Sequence, residues 1–290
     1  MIYLILLAAT SASTGKTVFM KKIGVNSDTA DKLIMQNAIS FVVAALIPLA
    51  MLRFDLLRIF YMSKFSLYMS VLFAISIILT YLTQMKAMAL GNSSSTMLIY
   101  SSGFLIPIIF SAIRYGEKIS IIQFWGLFLL MTALYFIINP KKDRKFSLKW
   151  LIFSLLSMTG SGCTAVLQKI HQHSRHSEEF LSLLSLEFIL ASVILFVITP
   201  FFNKKTNIRK LTRENIFTSS INGVFIGVLN MLNLHLAGRL PAVIVFPIYN
   251  IGSLVLSGVI LSILFKEKAS KMENIGFLLG ISGIMLIGIG

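Results

Sequence analysis

Ten stretches of about twenty mainly apolar residues, each long enough to cross about 30 Å of hydrocarbon as a helix, are separated in this chain by short charged loops. They run Ile2 to Met20, Leu33 to Leu52, Phe65 to Met85, Ser93 to Ile113, Ile119 to Ile138, Leu148 to Gln168, Phe180 to Phe202, Ile216 to Ala237, Leu240 to Phe265 and Met272 to Gly290. No loop has room for a soluble domain. Charged residues are only 13% of the chain and mean hydropathy is +0.85, whereas soluble proteins carry about a quarter charged residues. The expected fold class is therefore an all-α integral membrane protein with ten transmembrane helices, and the expected first partner is the lipid bilayer.

The net charge of +15 would suggest nucleic acid in a soluble protein. Here the basic residues lie between the apolar stretches, where they anchor and orient the chain, so no nucleic-acid partner is expected. Cys163 is the single cysteine, which excludes an internal disulfide and a cysteine metal cage. The N-terminal "IYLILLAA" followed by "SAS" has the small residues of a signal peptide but lacks its basic start, and the stretch is read as a retained helix.

The charged cluster "LFKEKASKMENIG" (264–276) has a near-copy in "IRYGEKISIIQFWG" (113–126). At an offset of 150, Ile113, Glu117, Lys118, Ser120, Gly126, Leu129 and Ile137 are identical to their counterparts. A second window, residues 4–23 against 151–170 at an offset of 147, matches Leu4, Ile5, Gly15, Thr17, Lys22 and Ile23. Two windows in the same order at nearly the same offset indicate duplication, with repeats at 1–140 and 147–290. Five helices per repeat is an odd number, so the second copy enters the membrane from the opposite side, and the repeats are expected to be inverted.

Ser120-x-x-Gln123 and Ser270-x-x-Glu273 both fit the capping box, and the Glu before each favours the positive end of the following helix dipole. Each copy is read as the turn into the last helix of its repeat, with a gating role for Glu117 or Glu267 as the alternative.

With "MALGNSSSTMLIYSSGFLIPIIFSAIRYGEKISIIQFWGLFLLMTAL" in one half and "LHLAGRLPAVIVFPIYNIGSLVLSGVILSILFKEKASKMENIGFLLGISGIMLI" in the other, the chain resembles the EamA-type family of the drug/metabolite transporter superfamily. The shared features are a small-residue stretch, a proline in the fourth or ninth helix, a Glu at the turn and a Gly about nine residues later. The resemblance implies ten helices in two repeats, transport of small metabolites, and a central cavity lined by helices 1, 3, 4, 6, 8 and 9. It implies no particular substrate.

"TSASTGKT" (10–17) mimics a phosphate-binding loop, but Thr10 replaces its first glycine, and neither the preceding strand nor an acidic metal ligand is visible. No cofactor is expected. What remains is Lys16 inside a membrane helix, where a charge is tolerated when it snorkels to the interface or meets an anionic group on a substrate. Both readings stay open.

Helical spacing sorts the other polar residues into stripes. These are Ser219, Asn222, Asn230 and Asn233 in the eighth stretch, and Phe246, Asn250, Ser253 and Ser257 with Tyr249 in the ninth. The fourth has Ser93, Thr96, Tyr100, Gly103, Pro107 and Ser111; the sixth has Ser154, Ser157, Ser161, Thr164 and Gln168; the third adds Thr80, Tyr81 and Gln84. Ser and Thr also serve as small packing residues between membrane helices. The larger groups Tyr81, Gln84, Tyr100, Asn230, Asn233, Tyr249 and Asn250, with Lys16, are therefore the substrate-binding candidates. Pro247 frees backbone carbonyls beside Tyr249 and Asn250.

Glu187 is the only acidic residue well inside an expected helix and is the coupling candidate, with pairing to a neighbouring helix as its alternative. Lys16 stands where the small multidrug-resistance branch carries an acid, which weighs against a cation exporter. His171, His173 and His176 read as a solvated loop and not as a metal site. Gly223-x-x-x-Gly227 and Gly276-x-x-x-Gly280 read as close packing within the chain.

The expected function is a secondary transporter of the cell (inner) membrane, moving a small polar metabolite, an amino acid-like or other organic anion or zwitterion, by alternating access. A coupling ion or counter-substrate is a further expected partner, and the chain is expected as a monomer or weak dimer. The alternatives are a membrane enzyme acting on lipid and a multidrug exporter. Against the enzyme stands the absence of paired carboxylates or metal-ligand spacing in the helices. Loops on one side, counted with Lys149 at the start of the sixth stretch, carry 17 Lys and Arg and those on the other 8, which puts both termini outside by the positive-inside rule. The family resemblance implies termini inside.

Overall fold

The computed structural model describes residues 1–25, 27, 29–90, 96, 99–138, 147–202, 211–264 and 271–290. All regular secondary structure among them is helical. The longer helices are α1 (Ile2–Val25), α2 (Ala30–Met51), α3 (Lys64–Leu90), α4 (Leu105–Tyr115), α5 (Ile121–Ile138), α6 (Leu148–Gln172), α7 (Phe180–Phe202), α8 (Arg213–Ala237), α9 (Ala242–Leu264) and α10 (Lys271–Ile289). Among the described residues, six helical segments are long and apolar enough to cross a membrane: Ile2–Gly24, Ala30–Met51, Lys64–Met88, Leu148–Gln172, Ser177–Phe201 and Arg213–Ala237. Shorter apolar helices at Ile99–Tyr115, Ile121–Phe136, Ala242–Ser257 and Asn274–Ile289 fall on the remaining expected stretches. The chain is a multi-pass membrane protein.

Several helices run past their apolar stretches. α1 continues through Lys21 and Lys22, and α6 through Lys169 and His171, because Lys and Gln are good helix formers and nothing in those turns breaks the ladder. α4 is preceded by a 3-10 turn, Ser102–Phe104. Gly103 lies there against the Met158 carbonyl of α6, and Pro107 one turn later has no N–H to give back to it.

The described residues fall into two compact units, and neither coincides with a sequence repeat. One comprises Met1–Ile78 and Ile170–His235; the other comprises Leu79–Lys169 and Leu236–Gly290.

In the first unit α2 packs along α7, with Phe41 stacked on Phe188 at 6.1 Å. α8 packs on another face of α2 through Gly223 and Gly227, whose missing side chains let the Ser40 and Ala44 carbonyls approach. The G-x-x-x-G pair thus packs within the chain. Glu179 accepts from the Ser63 N–H at 3.2 Å and from the Ser63 hydroxyl at 2.6 Å, closing the start of α3.

In the second unit α5 packs along α10, where Gly126 and Gly283 face each other so closely that a methyl on Gly126 would lie 3.0 Å from the Gly283 carbonyl. α9 packs against α4, α5 and α10. Both units bury large apolar side chains, Phe41, Phe188 and Leu195 in one and Phe104, Leu130 and Phe246 in the other. Phe124, Trp125, Phe128, Val197 and Phe201 remain exposed, as expected of helix faces that meet lipid.

Candidate functional site

The turn between α4 and α5 is fixed at both ends by local chemistry. Gly116 closes α4 in the left-handed conformation at φ 66°, which costs glycine no Cβ clash. Four residues on, the Ser120 N–H donates to Gln123 Oε1 and the Gln123 N–H donates to Ser120 Oγ, each at 3.1 Å. This is the expected capping box. The second box lies outside the described residues, as do Glu267, Lys268 and Ser270.

Held between these fixed points, Glu117 does not serve the dipole of its own following helix. Its Oε1 accepts from Lys169 Nζ of α6 at 2.6 Å, and its Oε2 accepts from the Ala242 N–H at the start of α9, also at 2.6 Å. Lys169 donates a second bond to the Leu240 carbonyl at 2.8 Å. The expected cap therefore acts on a helix more than a hundred residues away in sequence. Lys169 is 1% exposed, so this is a buried ion pair in which both partners have further hydrogen bonds, the condition under which burial of charge is tolerated. Lys169 escaped the sequence reading because nothing local marks it. Its repeat counterpart Lys22 makes a half-exposed pair with Glu214 at 3.3 Å.

Of the substrate-binding candidates, Tyr81, Gln84, Tyr100, Tyr249 and Asn250 belong to this second unit. Tyr81 and Gln84 are buried one turn apart on α3, beside Thr80, which abuts Gly160 of α6. Tyr100 is half-buried just before the 3-10 turn. On α9, Tyr249 is buried edge-on to Phe246 at 6.0 Å, and Asn250, half-buried, donates to the Phe246 carbonyl at 2.9 Å. Pro247 lies inside that helix and leaves the Val243 carbonyl without its helical donor. Ser93 of the fourth stripe lies outside the described residues.

Lys16, Asn230, Asn233 and Glu187 belong to the first unit. Lys16 is half-buried and shares a helix face with the buried Ala9, Ala12 and Ser13. Next to it Gly15 abuts Phe225 of α8, and Phe19 stacks on the same ring at 5.8 Å. Asn230 is half-buried and donates to the Ile226 carbonyl at 3.0 Å, while Asn233 is buried. The other end of that stripe has a packing task. Ser40 of α2 donates to the Ser219 carbonyl at 2.9 Å, and Asn222 Nδ2 donates to Ser40 Oγ at 3.3 Å. Spacing alone did not reveal that this end of the stripe packs against α2.

The histidines depart from the expected solvated loop. His173 is exposed, but His171 is fully buried, its Nε2 3.2 Å from Ser66 Oγ and its ring stacked on Phe65. The helix simply continues further than its apolar stretch, carrying His171 into the packed region.

A solved structure described as "Crystal structure of protein" matches this chain with a TM-score of 0.80 at 12% identity, covering 99% of this chain and 96% of that chain. At that identity the likeness shows the fold alone. No curated protein matches. Residues 1–139 and 148–289 match the model of the EamA-like transporter family.

Proposed function

Because the chain belongs to the EamA-like transporter family, we propose that it is a secondary carrier moving a small polar metabolite, an organic anion or zwitterion, across the inner membrane by alternating access. In this reading ten helices form two inverted repeats, 1–140 and 147–290, and the protein moves its solute chemically unchanged. The observation that carries the proposal is polar investment in both units. Lys16, Asn230 and Asn233 sit among apolar helices in one, and Tyr81, Gln84, Tyr100, Tyr249 and Asn250 in the other. Groups this large are unfavourable in a bilayer unless they pair or meet a polar ligand.

Lys16 supplies the positive charge that a carboxylate or phosphate on the solute would meet, with Asn230 and Asn233 of the same unit as hydrogen-bonding groups. The Glu117–Lys169 pair holds α4, α6 and α9 together at the turn, and alternation requires a contact of this kind to open and reform. The lipid-enzyme alternative lacks a comparable observation.

The test is uptake by proteoliposomes. Vesicles preloaded with an unlabelled candidate are given the same compound labelled, across amino acids, nucleosides and organic acids. Transient accumulation above protein-free vesicles supports a carrier. Chemical conversion of lipid or solute with no accumulation would sink the reading.

A further inference from the structure

Glu187 lies two turns into α7 and is completely buried, and neither carboxyl oxygen has a hydrogen-bond partner among the described residues. Three other described acids of its unit differ. Glu179 takes the Ser63 N–H and hydroxyl, Glu214 pairs with Lys22, and Asp55 pairs with Arg58.

Two neighbouring contacts define its surroundings. Leu183, one turn earlier on the same face, accepts from Ser70 Oγ of α3 at 3.2 Å. Phe188, the next residue, stacks on Phe41 of α2. α7 carries no other titratable group. On the elements packed against it, the charged residues stand at element ends. They are Asp31 and Lys32 at the start of α2, Arg58 in the one-turn helix Leu57–Phe60, Lys64 at the start of α3 and Lys86 near its end, and Glu178 and Glu179 in the turn before α7. Asp31 is ten residues from Phe41 and Glu179 eight from Glu187, about 15 Å and 12 Å at the helical rise. No cation stands level with Glu187 among these residues. A carboxylate ion sealed there would lose its hydration and gain no hydrogen bond or counter-charge, so the group is sealed in as the neutral acid.

We propose that Glu187 is a proton-binding site that couples solute movement to a proton gradient, a proposal that rests on the carrier reading. In the sealed state the carboxyl O–H is intact. When α7 admits water, the O–H bond breaks, the proton passes to water as hydronium, and the oxygen keeps the bonding pair as carboxylate. Resealing requires the reverse step, and with release to one side and uptake from the other one proton crosses per cycle.

The experiment uses the full chain in lipid. Difference infrared spectra of wild type and Glu187→Gln at neutral pH should show a neutral-carboxyl band in wild type that the variant lacks, a readout that requires no solute. Proteoliposomes carrying an internal pH dye then receive a labelled pool of amino acids and carboxylic acids. Wild type should show counterflow, and also accumulation driven by an imposed pH gradient with proton movement. Glu187→Gln should keep counterflow and lose gradient-driven accumulation and proton flux to the level of protein-free vesicles. Gradient-driven accumulation by Glu187→Gln, or no neutral-carboxyl band in wild type, overturns the proton site. Wild-type counterflow indifferent to pH gradients also overturns it and leaves the carrier standing. Absence of counterflow in wild type counts against the carrier itself. If Glu187→Gln proves poorly folded, Glu187→Asp and carbodiimide labelling of wild-type Glu187 replace it, and a wild-type Glu187 that resists carbodiimide at acid pH counts against the site.

Discussion

Lys169 Nζ lies 2.6 Å from Glu117 Oε1, joining residues 52 apart in sequence. Lys169 also donates to the Leu240 carbonyl, and Glu117 also accepts from the Ala242 N–H. The pair fixes where α9 begins relative to the α4–α5 turn.

Removing one partner leaves the other charge buried. Glu117→Gln and Lys169→Met should each lower stability by about 3–5 kcal/mol, nearer the low end for Lys169→Met because the Glu117 it leaves unpaired keeps some exposure. The double variant should lose clearly less than the sum of the two. Thermal unfolding in detergent reads all three, and simple additivity would show that the two side chains are not coupled.

Lys16→Met keeps the apolar stem and deletes the charge. The expected outcome is loss of uptake of an anionic or zwitterionic solute with normal protein levels in the membrane, while Lys16→Arg retains partial uptake. Unchanged uptake by Lys16→Met would assign the charge to snorkelling.

At the α2–α8 contact, Gly223→Leu puts a branched side chain where the Ser40 carbonyl and Val43 now lie. Overpacking of this kind costs about 1–3 kcal/mol, so folded protein recovered by size-exclusion chromatography should fall sharply. Val224→Leu, one residue on and exposed, should leave recovery unchanged.

Ser120→Ala removes one half of the capping box and should cost about 1 kcal/mol, and Gly116→Ala should cost about as much by placing a Cβ at a positive φ. Both should shift the unfolding temperature without abolishing uptake. Loss of uptake at full stability would give this turn a direct part in transport.

Orientation is open to chemical labelling. With Cys163 replaced by Ser, a single cysteine at Lys149 should resist impermeant reagents applied to intact cells, since the loops on that side carry the larger share of Lys and Arg. Labelling from outside would place the termini inside.

How much of this was legible follows from the range of each signal. Apolar stretches and the Ser120–Gln123 box are local patterns, and the helices and the cap appear where those patterns lie. Glu117 was recognised as the residue of interest at its turn, but its partners on α6 and α9 were not, because a salt bridge across 52 residues has no periodicity. Ser40 carried no signal either, since one serine in an apolar stretch looks like any small packing residue until Ser219 and Asn222 are seen beside it. His171 was misread because hydropathy ends a helix where polarity begins, whereas the backbone ladder continues to Gln172.

The pairings of α2 with α7 and of α5 with α10 join the first matched stretch to the second. During synthesis α2 and α5 therefore enter the bilayer with their main packing faces turned to lipid, and α5 keeps its Gly126 seam open until α10 brings Gly283. Completion of this seam waits on α10. A chain arrested before α10 would present quality-control machinery with a seam shaped for a partner that has not arrived.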